Sequence, residues 1–152
     1  MRPSGAIKPW RSRPLADPFV LVRPTILFMP EWRERAIELF PELRTEIADE
    51  DEIFSTYALW FELLPLVRDA HRTGSDDLLR RIYGYAAWMY EQGSDLANSV
   101  TVSFYEHLFD EGWMRPLVVH WLNPRIVSQI RPLWANRLTD REMPEVEKLL
   151  RQ

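Results

Sequence analysis

Apolar side chains recur at helical spacing through most of the chain. In residues 52–72 they fall at positions i, i+4, i+7, i+8 and i+11, which lie on one face of a helix. This first stripe is formed by Ile53, Tyr57, Trp60, Phe61 and Leu64. Ser75 is a candidate N-cap for a second helix that ends at Gly93, and Ser94 begins a third helix that we expect to end near Gly112.

Prolines punctuate the helical pattern. A proline is tolerated in the first turn of a helix, where no N–H donor is needed, so a proline before a helical stripe predicts a helix start. Helix starts are predicted in this way at Pro30, Pro41, Asn123-Pro124 and Pro144. Pro65 is expected to kink the helix that carries the first stripe, and Pro132 is expected to kink or end its own helix.

The first part of the chain has a different character. Six of the twelve prolines fall within residues 1–30, which excludes a helix of useful length there. We expect residues 1–30 to form an extended, Pro-rich, basic arm that packs on a helical domain of residues 31–152. No alternating strand pattern follows residue 30, so the predicted fold is all-α, a single-domain bundle of six to eight short, proline-punctuated helices.

Composition narrows the class of protein. The chain is 46% hydrophobic and 12% aromatic and includes seven tryptophans, which favours a packed core with most tryptophans as anchors. The absence of cysteine excludes disulfides, a thiolate nucleophile and cysteine-based metal sites. Arg23, Pro24 and Pro65 interrupt the apolar stretches, so none reaches the roughly 20 residues of a membrane span. With no secretory signal visible behind Met1, the sequence favours a cytoplasmic protein that does not engage a membrane.

Charge is divided unevenly along the chain. Residues 1–30 carry a net charge of +4, residues 31–111 of −11 and residues 112–152 of +3. Five carboxylates gather between residues 46 and 52 without a basic neighbour, at a cost in self-repulsion. The candidate partner-binding residues are Glu46, Asp49, Glu50, Asp51, Glu52, Asp76, Asp77, Asp110 and Glu111. This acidic body disfavours nucleic acid and favours a basic protein partner, and the basic arm of the same chain is the alternative partner.

No catalytic, nucleotide-binding or metal-binding motif is visible. The chain has no Gly-x-Ser-x-Gly elbow, no phosphate-binding glycine loop and no His-Glu-x-x-His spacing. Glu106 and His107 are adjacent, but neighbouring helical residues point about 100° apart and do not share one metal ion. His107 lies on the apolar stripe of its helix, which is typical of a satisfied, partly buried histidine. We therefore predict no enzyme activity, cofactor or metal, and we keep Glu106 and His107 as an alternative acid–base or ligand-binding pair.

A longer pattern carries a family resemblance. The run from Asp95 to Leu108, preceded by Phe40 to Leu43 and an acidic connector, resembles a family of small all-helical bacterial proteins of uncharacterised function. The resemblance covers residues 31–111. Some relatives in this family look like immunity proteins encoded beside polymorphic toxins. The resemblance implies a non-enzymatic binding protein, with no catalytic residue to carry over.

One leading hypothesis and two alternatives follow. The leading hypothesis is an immunity or inhibitor-like protein that neutralises a basic toxic enzyme by placing carboxylates where nucleic-acid phosphates would lie. The first alternative is a homo-oligomeric structural or scaffold protein, in which Phe19 to Met29 adds to a partner subunit. The second is a small helical enzyme or ligand carrier that uses Glu106 and His107 in a pocket among aromatic side chains. The sequence leaves the oligomeric state open.

Overall fold

Residues 29–49 and 54–152 are described in the computed structural model, and these two ranges form eight α-helices joined by short connections. The helices are α1 Glu31–Leu39, α2 Arg44–Ala48, α3 Thr56–Thr73, α4 Asp76–Glu91, α5 Ser94–Ser103, α6 Arg115–Val118, α7 Pro124–Arg137 and α8 Glu142–Leu150. No strand occurs within the described ranges, so the predicted all-α bundle is confirmed. Residues 1–28 of the predicted arm and residues 50–53 lie outside the described residues.

Local capping signals define the central helices. The Ser55 hydroxyl accepts a hydrogen bond (3.1 Å) from the backbone N–H of Ala58, which starts α3 after residue 55 rather than at the predicted residue 52. Gly74 follows α3 in the left-handed conformation with φ of +69°, and Gly93 follows α4 with φ of +72°. Both glycines supply the backbone reversal that antiparallel neighbours need. Pro65 lies inside α3, which continues past it.

The core lies where α3, α4 and α5 pack together, with α1 against α4. The Trp60 indole stacks on Phe104 with ring centroids 4.6 Å apart, and Phe40 meets Tyr85 edge-on at 5.5 Å. The Tyr85 hydroxyl also donates to the Trp32 carbonyl (2.8 Å), which ties α4 to α1. Aromatic rings therefore supply much of the contact between these helices.

The tryptophans predicted as core anchors occupy three kinds of position. Trp60 and Trp134 are fully buried. Partial burial against the core is found for Trp32, Trp88 and Trp121. Trp113 is 43% exposed, and the guanidinium of Arg72 lies 5.2 Å from its ring. The prediction of core tryptophans is thus confirmed for most of the described ones but not for Trp113.

The third predicted helix is shorter than expected. α5 ends at Ser103 rather than near Gly112, because Phe104 takes backbone angles of φ −123° and ψ −68° that lie outside the helical range. Both Phe104 and Tyr105 are buried at this break. The freed carbonyl of Tyr105 accepts a hydrogen bond (2.7 Å) from the indole N–H of Trp134. Burial of two consecutive aromatic rings and this long-range hydrogen bond favour the break over a continuous helix.

The C-terminal helices follow their predicted starts more closely. The side chain of Asn123 accepts a hydrogen bond (2.9 Å) from the backbone N–H of Arg125, which confirms the capped start of α7. α7 continues through Pro132 to Arg137, so Pro132 does not end it. α8 begins at Glu142, with Pro144 in its first turn.

Arg115 holds α8 against the rest of the bundle. Its side chain is buried, its Nε donates to the Phe109 carbonyl (2.8 Å), and its guanidinium contacts Glu142 at 2.8 Å and Glu145 at 3.3 Å. The hydrogen bond from the backbone N–H of Thr139, followed by the one from Arg115, lowers the pKa of Glu142 to about 2. Glu142 and Glu145, both in the first turn of α8, therefore contact one buried cation, the Arg115 guanidinium.

Candidate functional site

Exposed carboxylates of two separate segments meet at one side of the bundle. Arg81 on α4 brings them together, because its Nη1 lies 3.2 Å from Glu42 Oε1 and its Nε lies 3.1 Å from Asp77 Oδ2. The same Nη1 donates to the Leu39 carbonyl (2.6 Å), which anchors the guanidinium between α1 and α4. We call this surface the acidic edge and define it by Glu42, Glu46, Asp49, Asp76 and Asp77.

The acidic edge continues from Glu42 along α2. Glu46 is exposed four residues after Glu42, about one helical turn away. Arg33 on α1 donates to the carbonyls of Ile47 (2.6 Å) and Asp49 (2.9 Å), which fixes the end of α2. The remaining members of the predicted cluster, Glu50, Asp51 and Glu52, lie outside the described residues.

Basic side chains are interleaved with the acidic edge. Arg44 begins α2 and is exposed, and Arg80 is exposed one helical turn after Asp76. At the start of α4, the two carboxylates Asp76 and Asp77 are matched in number by Arg80 and Arg81. The excess of negative charge therefore belongs to the α2 part of the edge and the acidic segment that follows it.

Asp110 lies outside the acidic edge and forms an ion pair with an arginine of α7. Its carboxylate accepts hydrogen bonds from Arg137 Nε (2.7 Å) and Nη2 (2.8 Å), a bidentate pair between the turn after α5 and the last turn of α7. Partial burial alone would raise the pKa of Asp110, but the hydrogen bonds and charges of Arg137 and His107 outweigh that effect and lower the pKa. Its neighbour Glu111 is half-buried. A partner that used Asp110 would have to compete with Arg137.

Glu106 and His107, the alternative acid–base pair, belong to the same charged cluster as Asp110. His107 Nδ1 lies 3.0 Å from Asp110 Oδ2, and Glu106 Oε1 lies 3.5 Å from Arg137 Nη1. Nδ1 can donate to the Asp110 carboxylate in one tautomer or accept from the Arg137 guanidinium in the other. Arg137 also lies 3.0 Å from Nδ1. Sequence reasoning missed Arg137, since nothing near residue 107 points to an arginine on another helix.

An open groove of about 400 Å³ lies between α3 and α5 beside His107. It is lined by Phe61, Leu64, Pro65, Arg68, Val102, Ser103 and His107. Phe61 is 72% exposed at the groove, although the sequence pattern placed it on the buried stripe with Trp60. Phe61 lies about 100° around α3 from Trp60, past the edge of the buried face that holds Leu59 and Trp60. The ligand-binding alternative at His107 therefore has a concave surface beside it.

A second histidine is buried with a tyrosine. His71 Nε2 lies 2.9 Å from the Tyr83 hydroxyl, and the two rings meet edge-on with centroids 5.8 Å apart. Burial lowers the pKa of His71 and raises the pKa of Tyr83, so both groups stay neutral near neutral pH. This pair joins the end of α3 to α4 and lies away from solvent.

The described residues contain neither a cluster of metal ligands nor a helix that could span a membrane. Within residues 29–49 and 54–152, no three His, Asp or Glu side chains gather closely enough to hold a metal ion. None of the helices in these ranges has the length and apolar content needed to cross a membrane.

The helices and charged surfaces define an all-α protein whose candidate sites are an acidic edge, a charged cluster and an open groove. The chain belongs to the family described as a domain of unknown function, DUF7674, whose model matches residues 33–138. The match confirms the resemblance to an uncharacterised family, and it runs through α7, past residue 111 at which the resemblance was expected to end. No curated protein and no solved structure matches the chain.

Proposed function

We propose that this protein is a non-enzymatic binding protein that uses the acidic edge to hold a basic protein partner. One observation supports the proposal most directly. Arg81 gathers Glu42 and Asp77 at one place, while Glu46 and Asp76 are exposed and form no ion pair among the described residues. Exposed carboxylates such as Glu46 and Asp76, which have no ion pair in the described ranges, attract a cationic surface and steer its approach.

The partner we propose is a toxic enzyme with a basic substrate cleft, so that the protein acts in the cytoplasm as an immunity or inhibitor-like protein. A cleft that binds nucleic acid presents arginine and lysine to phosphates, and carboxylates on helix ends can occupy the same positions. Arg33 fixes the end of α2 and Arg81 joins Glu42 to α4. The backbone that carries these carboxylates therefore needs little ordering on binding, which favours affinity.

Titration of the full chain with the purified product of the adjacent gene, at low and high salt, tests this proposal. The test variant replaces four carboxylates by serine: Glu46, Asp49, Asp76 and Asp77. We expect its affinity to fall by about tenfold or more at low salt and its salt dependence to weaken, because four charges leave the interface.

A matched control variant loses the same number of charges elsewhere. It replaces four exposed carboxylates on α3, at the end of α4, at the start of α5 and before α8: Asp69, Glu91, Asp95 and Asp140. We expect this control to retain the affinity of the unmodified chain to within about twofold. Equal losses in the two variants would show that net charge acts rather than the acidic edge, and would overturn the proposal.

A further inference from the structure

We propose that the groove between α3 and α5 binds a small organic carboxylate with an apolar body. This inference does not depend on the proposed protein-binding function, because none of the groove residues belongs to the acidic edge. The ligand class follows from an apolar concave surface that contains one arginine without a counter-ion in the described structure.

The shape and walls of the groove suit an apolar group. Its volume of about 400 Å³ lies within the range of roughly 300–1,000 Å³ found for small-molecule sites. Leu64 and Val102 contribute apolar surface from the two helices. Phe61 adds a ring that is 72% exposed and that a ligand in the groove would cover. A single exposed ring is ordinary on a protein surface, so Phe61 supports a binding site only together with the groove and its arginine.

Arg68 supplies the positive charge of the groove. Its side chain is partly buried in the groove and forms no ion pair or hydrogen bond within residues 29–49 and 54–152. Glu106 and Asp110, which are close to His107 in the sequence, form ion pairs with Arg137 rather than with Arg68. A guanidinium flanked by apolar walls favours a carboxylate, which it can bind through two parallel hydrogen bonds.

Ser103 and His107 complete the polar lining on the α5 side. Ser103 is the last residue of α5 and brings a hydroxyl donor to the groove. The hydrogen bond between His107 Nδ1 and Asp110 Oδ2 (3.0 Å) fixes the orientation of the imidazole ring. The groove thus combines a cation, a hydroxyl and an imidazole ring with four apolar side chains, a composition expected of a small-molecule site.

Amide chemical shifts of the isotope-labelled full chain, recorded during titration with sodium phenylacetate, test the proposal. We expect saturable shifts at the groove residues, with a dissociation constant in the millimolar range because the probe is small. Phenylacetamide has nearly the same shape without the charge, and we expect it to bind about tenfold more weakly. A tripeptide that ends in phenylalanine presents the same chemistry as a chain terminus. Saturable binding of either carboxylate at the groove supports the site, and their ranking identifies the source.

Substitution of Arg68 separates the charge from the shape. In Arg68→Met we expect phenylacetate to bind no better than phenylacetamide, while Arg125→Met, which removes an exposed arginine on α7, leaves both affinities unchanged. Arg68→Lys keeps the charge but not the paired hydrogen bonds, and serves as the second variant if Arg68→Met does not fold. It should weaken phenylacetate binding by a few fold. Absence of saturable shifts at the groove, or equal affinity of the unmodified chain for the acid and the amide, would overturn the proposal.

Discussion

Charged side chains are paired to different extents in two regions of this molecule. Around α7 and α8, arginines are matched to carboxylates on other elements: Arg115 to Glu142 and Glu145, Arg131 to Glu147, and Arg137 to Asp110. At the acidic edge, Arg81 is shared between Glu42 and Asp77, and Glu46 lies in solvent without an ion pair in the described ranges. The first region uses its charges to join helices, whereas the second leaves part of its charge available.

The difference matters because paired and unpaired charges have opposite effects on stability. A buried cation with well-placed partners is costly to disrupt, since its removal leaves polar groups without partners. Exposed like charges repel one another and slightly destabilise the folded chain. Charge near α8 therefore explains how the bundle is held together, whereas charge at the acidic edge is the charge that the proposed protein partner would contact.

The largest effect of a substitution on stability is expected at Arg115. Arg115→Met should lower the free energy of unfolding by about 2–4 kcal/mol, because the Phe109 carbonyl and two carboxylates at the start of α8 lose their donor. Urea unfolding, followed by far-UV circular dichroism, measures the change. Arg125→Met is the control, since Arg125 is exposed on α7, and it should change stability by less than about 0.5 kcal/mol. Equal effects of the two substitutions would remove the distinction between the two regions.

Features that depend on neighbouring residues in the sequence could be predicted, whereas ion pairs between residues far apart in the sequence could not. The starts of α4 and α7 were predictable, because Ser75 and Asn123 stand directly before their helices, although of the two only the Asn123 side chain forms a capping hydrogen bond. The acidic cluster was visible for the same reason. Arg115 and Glu142 are 27 residues apart, and so are Asp110 and Arg137, so no local spacing connects either pair.

Side-chain packing accounts for the other differences between expectation and structure. α5 was predicted to continue past Phe104, since the apolar spacing continues there, but burial of Phe104 and Tyr105 breaks the helix. Phe61 was assigned to the buried stripe by its i+8 spacing from Ile53, yet it lies past the edge of the buried face of α3, which holds Leu59 and Trp60. Periodicity identifies a helix and its general face, whereas the edges of that face depend on the neighbouring helices.

A smaller effect is expected at the charged cluster between α5 and α7. Asp110→Asn should lower the free energy of unfolding at neutral pH by about 1 kcal/mol, because a partly exposed bidentate pair with Arg137 is lost. The folded pKa of Asp110 lies below its ordinary value of 3.8. Its stabilising contribution is therefore fully present above that pH and is lost as the pH falls through the lower folded pKa.

The pH dependence of the free energy of unfolding provides a second test of the Asp110 prediction. Chemical unfolding between neutral and acidic pH should show a smaller decrease in stability for Asp110→Asn than for the unmodified chain. Asp140→Asn removes an exposed carboxylate on the connection before α8 and should leave the pH dependence unchanged. An identical pH profile for all three proteins would mean that the Asp110–Arg137 pair does not contribute to stability.

The smallest effect, and the one that separates the two regions most directly, is expected at Glu46. Glu46→Gln keeps the shape of the side chain, and its free energy of unfolding should stay within about 0.5 kcal/mol of that of the unmodified chain. Any gain in stability should be largest at low salt, because repulsion within the acidic edge is least screened there. Glu147→Gln is the matched change in the paired region, because Glu147 is largely buried and contacts Arg131 and Arg151. It should destabilise by about 1 kcal/mol. Thermal unfolding of the two variants at low and high salt compares them. If Glu46→Gln destabilises as much as Glu147→Gln, then Glu46 supports the fold, and the acidic edge has no unpaired charge to offer a partner.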